Sequence, residues 1–259
     1  MLKKIAIVSV LCLALTSPVL AQMSDTRQVN NEYARTDGAL VGWATQVIAS
    51  VRGPQDYLQP ELGLAAFGME SDVLGDAGTP FSLGDGGSIT VAFDMEIANG
   101  AGDDFAVFEN GFAWNGVYME LGFVEVSSNG MDFARLPAFC RQDSVVGPWD
   151  TSDPGLFYNL AGNFVGGTGL DLQDLVTAGD PLVTSGAVDL DHILFVRVVD
   201  VIGDLAGNAT QDFIGRPVAD PYPSSGEGSG MDVTGFAIIN TGVVAIEEAS
   251  WGSVKSLFR

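Results

Sequence analysis

The sequence predicts an all-β protein, built as a single β-sandwich of jelly-roll type with long loops rich in glycine and aspartate. Three observations predict this fold. Apolar and polar residues alternate with a period of two, strand candidates are short and separated by Gly- and Asp-rich turns, and helical periodicity is scarce. Hydrophobic residues make up 47% of the 259-residue chain, which is enough for a packed core.

Residues 1–21 are predicted to be a signal peptide. Two lysines precede an apolar run, 5–15, that is too short to span a bilayer. Val19 and Ala21 occupy the positions that a signal peptidase reads, so we expect cleavage after Ala21. Residues 22–29 then form an N-terminal extension. The protein is expected to be exported and to reside outside the cell or at its surface, with the periplasm as a further possibility.

The clearest strand candidate is Ser88–Ile97. Alternation places one set of apolar side chains on a single face, namely Ile89, Val91, Phe93, Met95 and Ile97. Further strand candidates cover 105–108, 121–127, 193–201 and 233–240. Asn129-Gly130 after the second of these predicts a hairpin turn, because both residue types tolerate positive φ.

Two segments are less regular. Residues 43–51 fit either a helix, by spacing, or a strand, by their β-branched content. Residues 171–176 suggest one helical turn. We expect a single domain over 30–243, since neither an internal repeat nor a linker interrupts it.

The charge excludes nucleic acid as a partner. The chain has 33 acidic and 11 basic residues, for a formal charge of −22, so it cannot offer the basic stripe that phosphates require. Its single histidine, His192, excludes a multi-histidine zinc site. We expect His192 to be an exposed residue at a strand edge. No other run is long and apolar enough to predict a membrane helix.

Oxygen-bearing side chains predict a calcium site. The segment 99–111 combines glycines with Asp103, Asp104 and Glu109, and calcium binds carboxylate and carbonyl oxygens on such loops. Asp200 and Asp232, at the ends of two later strands, are further candidate ligands. The alternative is that these residues only form turns and solvate loop ends.

Strand geometry limits this prediction. Asp104 and Glu109 are five residues apart and face opposite sides of a straight strand. Asp103 and Glu109 share a face but lie roughly 20 Å apart in an extended chain. One ion therefore cannot join both ends of the segment, and either end alone is the realistic site.

Aromatic residues after this segment predict a ligand surface. Phe112, Trp114 and Tyr118 lie in a stretch with polar breaks, and sugars and other flat ligands stack on exposed rings. The alternative is that these rings cap the core beneath a long loop.

Catalysis is a weaker prediction. Carboxylate pairs occur, but a glycoside hydrolase needs two that face each other across a cleft. Glu125 points away from Val124 and Val126, towards a groove or, more simply, towards solvent. No Gly-x-Ser-x-Gly motif is present.

The segment 244–259 differs in character from the rest of the chain. Its last residues are basic and aromatic in an otherwise acidic protein. It is either a sorting or docking segment or an ordinary frayed terminus.

Three motifs carry a resemblance to a known family. GGSITV at 86–91, NGAGDDFAVFENGF at 99–112 and VEVSSNG at 124–130 resemble, in this order, a family of exported bacterial proteins described as cell surface proteins. The resemblance implies a secreted β-sandwich and assigns no activity. Many members of that family end in a Pro-Glu-Pro or type IX sorting tail, and neither pattern occurs in this sequence.

Together these patterns predict a secreted or cell-surface binding module without catalytic activity. Its ligand would be a glycan or another extracellular molecule, and calcium would be a structural cofactor. The first alternative is a structural or adhesive envelope protein without a small ligand. The second is an extracellular carbohydrate-active enzyme.

Overall fold

The computed structural model describes residues 28–224 and 226–242. The predicted signal peptide and the segment 244–259 therefore lie outside the described residues. Within the described ranges, antiparallel strands dominate the regular structure.

Two six-stranded sheets form the body of the protein. The first has the order β1 (Glu32–Tyr33), β14 (Gly167–Leu170), β6 (Phe105–Glu109), β16 (Asp232–Ile238) and β2 (Gly42–Trp43), with β4 (Phe81–Ser82) also paired to β16. The second has the order β10 (Ala134–Arg135), β9 (Gly122–Ser127), β15 (Ile193–Asp200), β5 (Ser88–Ile97) and β3 (Gln46–Val51), with β13 (Leu160–Ala161) also paired to β9.

Smaller elements complete the described chain. Two strand pairs stand apart from the sheets: β7 (Phe112–Ala113) with β8 (Val117–Tyr118), and β11 (Phe139–Cys140) with β12 (Phe157–Tyr158). The helical segments are Gln173–Ala178 and Pro181–Ser185, with 3₁₀ turns at Pro60–Leu62, Glu70–Val73 and Pro154–Leu156. None of the helices in the described ranges is long and apolar enough to cross a membrane.

The main core lies between the two sheets. Val91 and Val196 of the second sheet belong to the same buried cluster as Phe105, Val107 and Phe236 of the first. Burial of apolar side chains from both sheets holds them face to face. The predicted all-β sandwich is therefore confirmed, whereas the jelly-roll subtype stays a prediction.

A second buried cluster supports the loops at one end of the sandwich. It includes Met119, Leu121, Phe123, Phe157 and Val201. Met119 and Leu121 belong to the segment that joins β8 to β9, and Val201 directly follows β15. The cluster therefore supports the residues that form the candidate site.

The alternation predicted for β5 fails at one residue. Ile89, Val91, Phe93 and Ile97 are buried, but Met95 is 41% exposed. The pairing of β5 with β15 is irregular in this part of the strand, because the register shifts between Ile193 and Phe195. Such a bulge interrupts the period of two and turns Met95 outward.

The ambiguous segments resolve simply. Residues 43–51 form the end of β2 and all of β3, so the strand alternative is correct and the helix alternative is wrong. The predicted helical turn near 171–176 is the helix Gln173–Ala178. The turn at Asn129-Gly130 joins β9 to β10, with Gly130 at φ 74°.

Candidate functional site

Carboxylates from both sheets meet at one end of the sandwich. Glu109 ends β6 and Asp232 begins the neighbouring strand β16, where Glu109 is paired with Val233. Asp200 ends β15 in the other sheet. The charge of Asp232 raises the pKa of both Glu109 and Asp200, in accord with their position at the same end of the sandwich.

Three loop residues complete this group. Asp85 lies between β4 and β5, Glu120 lies between β8 and β9, and Asp220 lies between β15 and β16. We call these six residues the acid cluster: Asp85, Glu109, Glu120, Asp200, Asp220 and Asp232. Asp232 is partly buried and the others are buried.

Burial dominates the electrostatics of the acid cluster. It raises the pKa of Glu109, Glu120, Asp200 and Asp220 well above the usual carboxyl range, and neighbouring carboxylates raise it further. Burial likewise raises the pKa of Asp85 to about 6. Burial therefore favours the uncharged form of Glu109, Glu120, Asp200 and Asp220 unless a cation compensates the charge.

Backbone amides fix three of the acids. Asp200 accepts hydrogen bonds from Met231 N at 2.6 Å and from Gly86 N at 2.9 Å. Asp220 accepts one from Leu121 N at 2.7 Å, and Asp85 accepts one from Tyr57 N at 2.9 Å. Main-chain N–H groups therefore hold the carboxylates of these three acids in place.

The two glutamates are held less fully. Glu120 Oε1 accepts a long hydrogen bond of 3.3 Å from the Tyr118 hydroxyl. Glu109 Oε2 is buried and has no hydrogen-bond partner among the described residues. A buried carboxylate oxygen without a donor is costly, because it has lost water and gained nothing in return.

Asp103 and Asp104 lie at the opposite end of β6 from Glu109. Asp104 accepts hydrogen bonds from Gly100 N, Leu172 N and Asn240 Nδ2 at 2.7–2.9 Å. These hydrogen bonds tie three loops to the strand, and both oxygens of the Asp104 carboxylate take part in them. The structure does not bring this residue to the acid cluster.

Asp103 is used in a similar way. Its Oδ2 accepts hydrogen bonds from Asn31 Nδ2 at 2.8 Å and from the Tyr33 hydroxyl at 3.0 Å. The five predicted calcium ligands therefore divide between the two ends of β6, with Glu109, Asp200 and Asp232 together at one end. In the described ranges, no three or more Asp, Glu, His or Cys side chains are already arranged to hold a metal ion.

An aromatic stack lies beside the acid cluster. Phe112 and Tyr118 are paired across β7 and β8, with ring centroids 4.8 Å apart and an interplanar angle of 14°. Trp149 also stacks on Tyr118, and the centroids of these two rings are 5.8 Å apart. Trp149 is 79% exposed and Trp114 is 73% exposed, whereas Tyr118 is buried.

Two pockets adjoin this stack. The first has a volume of about 310 Å³ and is lined by Tyr118, Glu120 and Trp149 together with the loop around Ser224 and Gly228. The second has a volume of about 480 Å³ and is lined by Phe112, Trp114, Asn115, Trp149, Asp150 and Thr151. Trp149 lines both pockets, and Glu120 connects the first pocket to the acid cluster.

The three aromatic residues that the sequence predicts to bind a ligand lie in two different pockets. Phe112 and Trp114 line the second pocket, and Tyr118 lines the first. The alternative that these rings cap the core holds for Tyr118 alone. Sequence reasoning missed Trp149, although a tryptophan in the Gly147-Pro148-Trp149-Asp150 turn sequence is a signal for an exposed ring.

Sequence reasoning also missed three members of the acid cluster: Asp85, Glu120 and Asp220. They lie in irregular segments far apart in the chain, and no period or spacing relates them. Only the buried position of Glu120 between two apolar neighbours, Met119 and Leu121, gives a local hint.

The two pockets differ in the carboxylate that lines each of them. Of the described residues that line them, Glu120 is the carboxylate of the first pocket and Asp150 that of the second. A glycoside hydrolase places two carboxylates across one cleft. The other acids of the cluster line neither of these two pockets, and all of them except Asp232 are buried.

No known protein family model and no curated protein matches this chain. The resemblance to exported cell surface proteins accordingly stays a prediction.

Proposed function

We propose that the protein is an exported, non-catalytic binding module whose aromatic surface binds a carbohydrate or a similar ring-shaped ligand. The observation that carries this proposal is the stack of Phe112, Tyr118 and Trp149, with pockets on its two sides. Large exposed rings on loops of a rigid sandwich are typical of ligand-binding surfaces.

The stacking supports rigid presentation of the rings. Tyr118 is buried, so it fixes the positions of Phe112 on one side and Trp149 on the other. A ligand that covers Trp149 removes apolar surface from water without first having to order the ring.

Polar groups in the second pocket would orient a bound ligand. Asn115, Asp150 and Thr151 lie beside the rings, and side chains of these types bind ligand hydroxyls. An apolar face bordered by hydrogen-bonding groups matches the two surfaces of a sugar ring. This combination favours a glycan over a purely apolar ligand.

The direct test is a glycan array probed with the protein without its signal peptide, followed by calorimetry on the best ligand. We expect Trp149→Ala and Trp114→Ala each to weaken binding about tenfold or more, which is about 1.4 kcal/mol. Met131→Ala is a matched control, since Met131 is 81% exposed in the turn between β9 and β10.

Three outcomes would overturn the proposal. Binding that is unchanged in both tryptophan variants would place the ligand elsewhere. The absence of any bound glycan would favour the structural or adhesive alternative, and release of reducing sugar from a bound glycan would favour the enzyme alternative.

A further inference from the structure

The acid cluster brings six carboxyl groups together, and the described side chains around it supply little positive charge to compensate them. In the described part of the chain, the ion pairs involve Glu96, Glu125 and Asp212, none of which belongs to the cluster. Arg52 is near enough to Asp232 to lower the pKa of that carboxyl, but its guanidinium donates hydrogen bonds to backbone carbonyls. The charge of the cluster is therefore not neutralised by these side chains.

Glu109 points to a missing ligand within this group. Glu109 is 5% exposed, and its Oε2 has no hydrogen-bond partner among the described residues. After burial, the charges of Glu120 and Asp232 raise the pKa of Glu109 most. A cation would satisfy this unpartnered oxygen and would also offset the charges of the neighbouring acids.

Neutral oxygens adjoin the same carboxylate. A Cβ built on Gly111 would lie 2.8 Å from Glu109 Oε2, 3.0 Å from the Tyr118 carbonyl oxygen and 3.3 Å from the Phe164 carbonyl oxygen. The three oxygens thus border one space, which a side chain at position 111 would fill. Two of them are main-chain carbonyls, which are common ligands of calcium.

The donor set selects the type of ion. The side chains of the acid cluster offer only oxygen, and the single histidine of the chain precedes β15, whereas Asp200 ends that strand. Hard cations prefer oxygen, and calcium accepts six to eight ligands in irregular geometry at about 2.3–2.6 Å. Magnesium demands a near-octahedral site and retains water, which a buried group of acids does not supply.

We propose that Glu109, Glu120 and Asp232 bind a calcium ion, with Asp200 and Asp220 behind them. The glutamate stems are flexible enough to draw the carboxylates inward around an ion. Asp200 and Asp220 are held by backbone amides and contribute charge from fixed positions. This inference does not depend on the proposed glycan surface, because the ion binds whether or not either pocket is filled.

The test measures calcium binding directly. The protein without its signal peptide is stripped with a chelator and titrated with calcium chloride by calorimetry at neutral pH, with magnesium chloride as the comparison. We expect a dissociation constant between roughly 10⁻⁶ and 10⁻³ M for calcium and much weaker binding of magnesium. The melting temperature should rise in millimolar calcium.

Variants locate the ion. Glu109→Gln and Glu120→Gln should each weaken calcium binding roughly tenfold or more. In chelator, Glu109→Gln should melt at or above the temperature of the unchanged protein, because glutamine has the shape of glutamate and carries none of the charge that burial disfavours. A merely structural role for Glu109 predicts the opposite, namely a lower melting temperature with and without calcium.

Matched controls keep the result interpretable. Glu125→Gln changes a buried carboxylate that is paired with Arg135 and Arg197, so it should lower stability but keep the full calcium response. Asp103→Asn changes a carboxylate at the other end of β6, and this variant should also keep the full calcium response. The proposal is overturned if calcium produces neither heat nor a shift in melting temperature, or if Glu109→Gln and Glu120→Gln respond to calcium as the unchanged protein does.

Discussion

His192 is the single histidine of the chain and lies at the start of β15, next to β5. Its Nδ1 lies 2.9 Å from Glu96 Oε2, and the side chain is largely exposed. The hydrogen bond to Glu96, followed by the charge of the same carboxylate, raises the pKa of His192 above its usual 6.5. His192, which the sequence predicts to be merely an exposed residue at a strand edge, therefore has Glu96 as a defined partner.

This contact predicts a titration. The imidazole should titrate above 6.5, and Glu96→Gln should lower its pKa. Because the folded-state pKa is raised, the stabilising contribution is fully present below about pH 6.5 and is lost as the pH rises through the folded pKa. Proton NMR measures this without ambiguity, since only one imidazole is present.

Asp191→Asn is the control for that titration. Asp191 adds only a smaller electrostatic contribution, so this variant should shift the histidine pKa less than Glu96→Gln does. Identical titration curves for the unchanged protein and Glu96→Gln would contradict the assigned contact.

Glu125 shows what residue patterns alone cannot predict. Alternation along β9 places it opposite Val124 and Val126, as expected, but the expectation of a solvated side chain is wrong. Arg135 from β10 and Arg197 from β15 both bind it, at 2.8 and 2.6 Å. Those strands are brought alongside by sheet pairing, which a single strand sequence does not reveal.

At the scale of elements, the hairpin of β9 and β10 depends on Gly130. This residue has φ 74°, and a Cβ on it would lie 3.3 Å from the Phe195 ring. Only glycine adopts this conformation without strain, so the turn and the register of the hairpin depend on the residue type.

Gly130→Ala should therefore destabilise the fold by about 1–2 kcal/mol, measured by urea denaturation. Gly38→Ala is the matched control, because its added Cβ would meet no atom within 4 Å. Its effect should be small. Equal losses of stability in the two variants would show that the left-handed conformation is not the cause.

Elements with a strong local signal are the ones that the sequence predicts well. The strand β5, the turn at Asn129-Gly130 and the helix Gln173–Ala178 all follow from local periodicity or turn chemistry. The two-residue strands, such as β7 and β8, do not, because two residues cannot show a period. These short pieces carry the aromatic stack, so its geometry was not predictable.

At the scale of the whole molecule, the candidate site combines residues that are distant in sequence. Glu109 and Asp232 are joined by the pairing of β6 with β16, and Asp200 comes from the second sheet. The sequence does indicate carboxylates at strand ends, as was proposed for these three. Their meeting with Glu120 and Asp220 depends on the order of strands, which local patterns do not determine.

The export prediction also belongs to the whole molecule. The secreted protein should begin at or within a residue or two of Gln22, because the small residues at the cleavage site end at Ala21. N-terminal sequencing of protein recovered after export measures this. Exported protein that still begins with Met1 would show that 1–21 is not a signal peptide.

Trp149 borders pockets of about 310 and 480 Å³, so the two spaces share one ring as a common wall. A ligand with one ring can fill only one of these spaces at a time. A chain with two linked units holds its second unit at high local concentration once the first is bound. Affinity should consequently rise in a step when the ligand becomes long enough to pass over Trp149, and further lengthening should add little.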